Sequence, residues 1–156
     1  MNSTAPPTLF FKRSNFVTHL PVRCRYTRAH FWAETLEQGR LRIGFTRFAT
    51  RMLGELVDHR FDLAPGAAIC PGDILGWIEG FKAISDLICV AKGNFVRGNP
   101  ALKENIGLVS DANYAEGWLY EVEGELDQPN LDVREYAEYL KLTIDKMLEK
   151  QGQSES

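Results

Sequence analysis

The segment Ile78-Glu79-Gly80-Phe81-Lys82-Ala83-Ile84-Ser85-Asp86-Leu87 sets a single lysine between two apolar runs. The runs, Ile74-Leu75-Gly76-Trp77-Ile78 before it and Leu87-Ile88-Cys89-Val90-Ala91 after it, read as strands buried on both faces. Lys82 then falls in the tight connection between them, where an ammonium reaches water. A lone lysine at a turn is ordinarily a solvated charge. This one has company at fixed offsets: Glu79 three residues before, Ala83 directly after, and Ser85-Asp86 beyond.

Outward from that turn the dominant pattern is short strands punctuated by glycine and proline. Arg40-Leu41-Arg42-Ile43-Gly44-Phe45 alternates strictly, and Trp118-Leu119-Tyr120-Glu121-Val122-Glu123 is a second β-rich segment. Breakers are expected at Pro65-Gly66, Pro71-Gly72, Gly93-Asn94 and Gly98-Asn99-Pro100, a spacing that predicts a small barrel or sandwich. Three helices are expected around it. One runs from about Phe48 to Leu56 behind Thr46 as N-cap, and a short one follows Asn99, with Pro100 at the first helical position. The longest opens on a capping box of Asp132 and Glu135 and carries Val133, Tyr136, Leu140, Ile144, Met147 and Leu148 on one face. Residues 1–20 read as an N-terminal extension beginning in a polar, proline-containing tail, 21–150 as a single domain with its C-terminal helix, and 151–156 as a polar tail.

A chain of 156 residues and 17.7 kDa has room for one domain with a real core. Its 44% hydrophobic and 25% charged residues exclude a wholly disordered or collagen-like chain. No apolar run approaches a membrane span, and Lys12-Arg13 is not followed by the apolar core of a secretory signal, so a cytoplasmic protein is expected. Cys24, Cys70 and Cys89 form no C-x-x-C pair and His19, His30 and His59 are scattered, which leaves neither a disulfide framework nor a metal site. Cys24 stands between Arg23 and Arg25, cations that would make an exposed thiol reactive. The net charge of −3 is unevenly spread: residues 1–60 carry +6, 61–103 are neutral, and 104–156 carry −9. That balance argues against nucleic acid as a partner. The basic first third could hold an anion or neutralise the acidic last third.

The Lys82 segment resembles the lipoylation site of the glycine-cleavage H proteins, which read roughly Val-Glu-Ser-Val-Lys-Ala-x-Ser-Asp. Further patches fall in the same order: Tyr26-Thr27, His30-x-Trp32, Gly44-Phe45-Thr46, Phe48-Ala49, Leu53-Gly54-Glu55, Asn99-x-x-Leu102 and Tyr114-x-Glu116-Gly117-Trp118-Leu119. The resemblance implies a mainly β fold, a flattened barrel-sandwich hybrid of the lipoyl/biotinyl kind, with peripheral helices and a C-terminal helix. It implies lipoate bound covalently to Lys82 at a hairpin tip, with Glu79, Ser85 and Asp86 supporting the modification motif. It also implies a carrier rather than an enzyme, served by lipoate-protein ligase or lipoyl synthase and, for redox cycling, lipoamide dehydrogenase. A biotin carrier fits less well, because Phe81-Lys82-Ala83 stands where Met-Lys-Met is usual.

Departures from the family pattern bear on cargo. The family's His-Glu-Trp reads His30-Phe31-Trp32 behind Ala29, so a carboxylate expected to hold a protonated amine is replaced. Met52 stands where histidine is usual, and Arg47 and Arg51 are one helical turn apart. His30, Phe31, Arg47, Arg51 and Met52 are therefore expected to line the arm's cleft, and two guanidinium groups there would favour an anion. The stretches 44–55 and 77–87 look like the H-like lipoate-binding proteins of sulfur oxidisers, which implies a heterodisulfide-reductase-like partner. A glycine-cleavage carrier of an aminomethyl group is the alternative, and an unmodified binding module is a third.

Overall fold

The computed structural model describes residues 6–154. The strands are β1 (Thr8–Arg13), β2 (Phe16–Pro21), β3 (Arg25–Tyr26), β4 (Phe31–Thr35), β5 (Arg40–Phe45), β6 (Leu56–Phe61), β7 (Ala68–Ile69), β8 (Ile74–Gly80), β9 (Ile84–Ile88), β10 (Ala91–Gly98) and β11 (Tyr120–Leu126); the α-helices are α1 (Arg47–Leu53), α2 (Leu108–Asp111) and α3 (Val133–Ser154). They form a six-stranded sheet in the order β3-β4-β5-β11-β10-β7, a three-stranded sheet β6-β8-β9, and the β1-β2 hairpin. The fold is mainly β, a flattened sandwich of open sheets with helices at its edge. Residues 1–5 and 155–156 of the expected tails lie outside the described residues.

One core lies between the two larger sheets. Ile43, Leu75, Ile78, Leu87, Leu119 and Val122 meet there, all 2% exposed or less. The other face of the large sheet presents Tyr26 and Trp32 to a second core, closed by Phe11, Phe16 and Leu20 of the hairpin and by Tyr136, Leu140 and Ile144 of α3. The N-terminal extension thus folds as a hairpin that packs on α3, an element the apolar pattern of residues 9–21 did not announce.

The caps expected from sequence form. Thr46 Oγ1 accepts from the Ala49 N–H at the start of α1, and the Asn99 side chain caps a short 3-10 turn at Pro100–Lys103. Asp132 and Glu135 exchange side-chain-to-backbone bonds of 2.8 and 3.0 Å at the head of α3. That helix continues to Ser154, into the stretch read as a polar tail, and Leu148 of its apolar stripe stays exposed.

Two strand readings need correction. The runs at 74–78 and 87–91 are not buried on both faces, since Ile74 and Ile88 are exposed where the three-stranded sheet turns one face to solvent, and the second run is not one strand: β9 is Ile84–Ile88, and Cys89-Val90 link it to β10. Gly93-Asn94 is no breaker but lies inside β10, where Gly93 pairs with Gly124. A Cβ on Gly93 would stand 1.9 Å from the Glu123 carbonyl oxygen, and one on Gly124 2.0 Å from that of Lys92. Glycine here permits a close approach of backbones rather than a turn.

Candidate functional site

Lys82 occupies the turn between β8 and β9, exposed and without an ion-pair partner among the described residues. The turn is pinned by backbone. Gly80 N–H donates to the Ala83 carbonyl, Phe81 N–H to that of Glu55 and Lys82 N–H to that of Leu53, each at 2.9 Å. The end of α1 therefore holds the lysine's own peptide unit. This contact depends on Gly54, the helix C-cap with φ +77°, and on Gly80. A Cβ on Gly80 would lie 2.2 Å from the Leu53 oxygen, and one on Gly54 2.8 Å from Lys82 Cγ. Neither glycine stood out as a site residue in the sequence. The available signal was Leu53-Gly54-Glu55, where glycine follows the last residue of a helix.

Two cavities meet at Lys82. The larger, of about 1030 Å³, is lined by Arg47, Thr50 and Arg51 of α1, by Glu55, by Asn15 of the hairpin tip, and by Asn105, Ser110 and Asp111 around α2. Arg47 and Arg51 share this wall as their spacing predicts. Arg51 donates to Asn15 Oδ1 at 3.2 Å and lies over the Phe16 ring, and neither arginine forms an ion pair among the described residues. The lining also contains two carboxylates, Glu55 and Asp111, so it offers partners to both signs of charge. The smaller cavity, of about 390 Å³, opens on the other side of Lys82 and includes Phe48, Met52 and Arg51.

The remaining predicted residues fall elsewhere. Glu79 and Asp86 lie on the outward face of the hairpin, paired with Ile84 and Trp77, while the Ser85 hydroxyl donates to the Asp86 carbonyl. His30 and Phe31 line neither cavity at Lys82, contrary to expectation. Phe31 is 3% exposed and stacks on Phe45 in the main core, because it faces the three-stranded sheet while its neighbour Trp32 faces α3. His30 has φ +69° and turns its ring under Phe48, where Nδ1 shares a 2.8 Å hydrogen bond with the Tyr136 hydroxyl. Burial lowers its pKa to about 4. Cys24 is not a reactive thiol. It is 2% exposed in the second core, and desolvation drives its pKa up to about 12, against the lowering influence of Arg23. The chain, leaving a turn at Val22-Arg23 for β3, buries Cys24 and leaves its flanking arginines exposed.

Residues 24–145 match the model of the glycine cleavage H-protein family. The chain belongs to that family. It is 35% identical to the glycine cleavage system H protein of Kocuria rhizophila over 128 residues, covering 80% of this chain and 99% of the relative. It is 38% identical to that of Bacteroides fragilis over 101 residues, covering 65% and 79%. The crystal structure of the H protein from Mycobacterium marinum superposes with a TM-score of 0.69 at 31% identity, over 76% of this chain and 96% of that one. The family consists of carriers that bear lipoate covalently on a lysine and are not themselves catalysts, and this chain is such a lipoyl carrier. An exposed lysine on a pinned turn beside two cavities fits that group. The β1-β2 hairpin and the last turns of α3 lie outside the matched residues.

Proposed function

We propose that this protein carries its lipoate in amide linkage on Lys82 and shuttles an aminomethyl group between the enzymes of glycine cleavage in the cytoplasm, after loading by a lipoate ligase. The observation that carries the reading is the Lys82 turn: side chain exposed, backbone clamped by Leu53 and Glu55, and cavities on both sides. When bound, lipoate supplies a disulfide that accepts electrons and a transferable fragment. The chain supplies position. Lys82 Nζ is the amine for the amide, the clamp keeps its Cα fixed, and tethering holds cargo at high effective concentration for successive enzymes. Asp111 and Glu55 are the carboxylates of the larger cleft, able to accept charge-assisted hydrogen bonds from a protonated amine. Glu79 and Asp86 on the outward face are placed to meet the loading enzyme.

Intact-mass analysis after expression in a lipoylating host should show one added lipoyl group, mapped to Lys82 and lost in Lys82→Arg. Lipoate on Lys92 or Lys103 instead would sink the assignment. Reconstitution with glycine decarboxylase and aminomethyltransferase should give turnover, and none by the carrier alone.

A second reading rests on Arg47 and Arg51, which face the same cleft and form no ion pair among the described residues. Two guanidinium groups, of which Arg51 is hydrogen-bonded among the described residues only to neutral Asn15, suit an anionic sulfur fragment passed to a heterodisulfide-reductase-like complex. The names of the relatives favour the first reading. Activity lost in Asp111→Asn but kept in Arg47→Ala supports the amine cargo; the reverse pattern supports the anion.

A further inference from the structure

The β1-β2 hairpin is a two-stranded sheet whose strands are differently placed. β1 is the strand that packs against α3, where Arg13 makes two 2.8 Å bonds to Asp145. β2 has no further strand beside it among the described residues. Which of its backbone groups are free follows from the register, because antiparallel partners alternate between pairs that exchange hydrogen bonds and pairs that do not. The Val22 N–H donates to the Pro7 carbonyl at 3.0 Å, which makes Leu9–Leu20, Phe11–Thr18 and Arg13–Phe16 the bonded pairs. Val17 and His19 therefore turn both N–H and C=O away from β1, and nothing among the described residues meets them. Pro21 continues the same row, at a position where a missing N–H costs nothing. An open row of this kind is a template for another strand.

Along that row runs a cavity of about 540 Å³, with Val17, His19 and Pro21 on one side and Ala112, Tyr114 and Ala115 on the other. The small residues at 112 and 115 leave room for a backbone to lie close. Arg23 is bound to Glu34 and to the Tyr114 carbonyl, whereas Arg47, which also lines this groove, forms no ion pair among the described residues. Val17, Arg47 and Asp111 line both this groove and the larger cleft at Lys82, so the two adjoin.

We propose that the open edge of β2 receives an extended segment of a partner enzyme, which adds to the hairpin as a third strand with its end toward the Lys82 cleft. The groove sets the chemistry of that segment. Its main chain exchanges hydrogen bonds with Val17 and His19, its side chains toward the loop 112–115 are small, and a carboxylate at its cleft end meets Arg47. The inference rests on the glycine-cleavage reading, under which the partner is the aminomethyltransferase. That enzyme must draw a charged amine out of the cleft that Val17, Arg47 and Asp111 border, and so lies over these residues. Residues 8–21 lie outside those the family model matches, so the edge is this chain's own addition to the carrier, an address read beside the arm.

The test uses the lipoylated full chain, with the modification first checked by intact mass. Amide hydrogen exchange is read by NMR, residue by residue over 16–20, with and without saturating aminomethyltransferase. The Val17 and His19 amides should exchange freely in the carrier alone and slow roughly tenfold or more in the mixture. Phe16, Thr18 and Leu20, already bonded within the hairpin, should change little, and that alternation separates an added strand from general shielding. In the reconstituted assay His19→Pro, which removes a free N–H and no bonded one, should raise KM for the carrier roughly tenfold at unchanged kcat. His19→Ala loses the same imidazole but keeps the N–H, and should leave KM near the wild-type value. Ala115→Trp, filling the groove from an exposed wall, should also raise KM and decides the matter if the proline variant fails to fold. Wild-type turnover with no slowing at Val17 and His19, or equal KM for the Pro and Ala variants, overturns the added strand and leaves the glycine-cleavage reading standing. Slow exchange of both amides in the carrier alone would show the edge already covered, by a second copy or by the chain's own N-terminus, and overturns it as well. Slowing by glycine decarboxylase and not by aminomethyltransferase overturns the choice of partner. No turnover in the reconstituted system overturns the reading beneath.

Discussion

Phe31 lies against Phe45 with ring centroids 4.7 Å apart and planes 18° from parallel, sealed in the main core. Restoring the family's usual glutamate there would bury a carboxylate among apolar side chains instead of furnishing a cleft. Phe31→Glu should therefore lower stability by about 3 kcal/mol or more, combining lost packing with the desolvation of a polar group. A falling urea midpoint would show it, and an unchanged midpoint with improved amine transfer would contradict it. Gly80→Ala is expected to act closer to the function. Its Cβ would meet the Leu53 oxygen that receives the Lys82 N–H, so the turn must shift. Lipoylation by a purified ligase should slow severalfold, with little change in α1 or α3 by circular dichroism; unchanged loading kinetics would show that the clamp does not matter to the enzyme. Much at this scale was legible. Lys82 and its offsets stood out, and so did Arg47 and Arg51, because a helix brings i and i+4 together wherever it packs. Phe31 and Cys24 misled because their faces are chosen by the tertiary partners of an extended chain, which no local pattern names.

Among the elements, α3 was the most legible, since a capping box and a one-sided apolar stripe are both local. Asp132→Ala removes the bond to the Glu135 N–H and should cost about 1 kcal/mol, read as a shift in the urea midpoint without loss of lipoylation. The hairpin was the least legible. Phe16, Thr18 and Leu20 alternate inward, but the partners of Phe16 and Leu20 are Phe48 of α1 and the face of α3, the latter more than a hundred residues away in sequence. Of the strands flanking Lys82, the first was found but misjudged in burial, and the second was placed too late, at 87–91 rather than Ile84–Ile88. A continuous apolar run fits a strand covered on both sides, yet here the outward residues Ile74, Ile84 and Ile88 remain exposed beside the modified turn. Half of the candidate cleft was invisible for a related reason. Asp111 comes from α2 and Asn15 from the hairpin, and only the assembled fold sets them opposite α1.

Across the whole molecule, the basic first third and the acidic last third meet. Arg13 pairs with Asp145, Arg40 with Glu123, and Arg42 together with Arg97 clamps Glu121, which is 3% exposed at its side chain. Burial alone would raise the Glu121 pKa, but hydrogen bonds and charge from Arg97 and Arg42 outweigh it and hold the carboxyl below its ordinary value. Its contribution is thus complete above the ordinary carboxylate range and is lost as pH falls through the depressed value. His30 has the opposite charge type and a different window. The unfolded chain takes up its proton near 6.5 while the folded one waits until about 4, so the unfolded state gains protons first as pH falls. Stability from neutral His30 should therefore be full above about pH 6.5, decline through the interval, and level off below 4, a loss of about 3 kcal/mol in all. Burial lowers His59 as well, which adds to the same slope. Urea midpoints measured from pH 7.5 to 3.5 should then fall in two stages. His30→Gln should flatten the upper stage and leave the lower, and Glu121→Gln should do the converse. A wild-type protein equally stable at pH 7.5 and 4.5 would mean that His30 takes up its proton in place, and that the Tyr136 and Phe48 contacts do not keep it neutral.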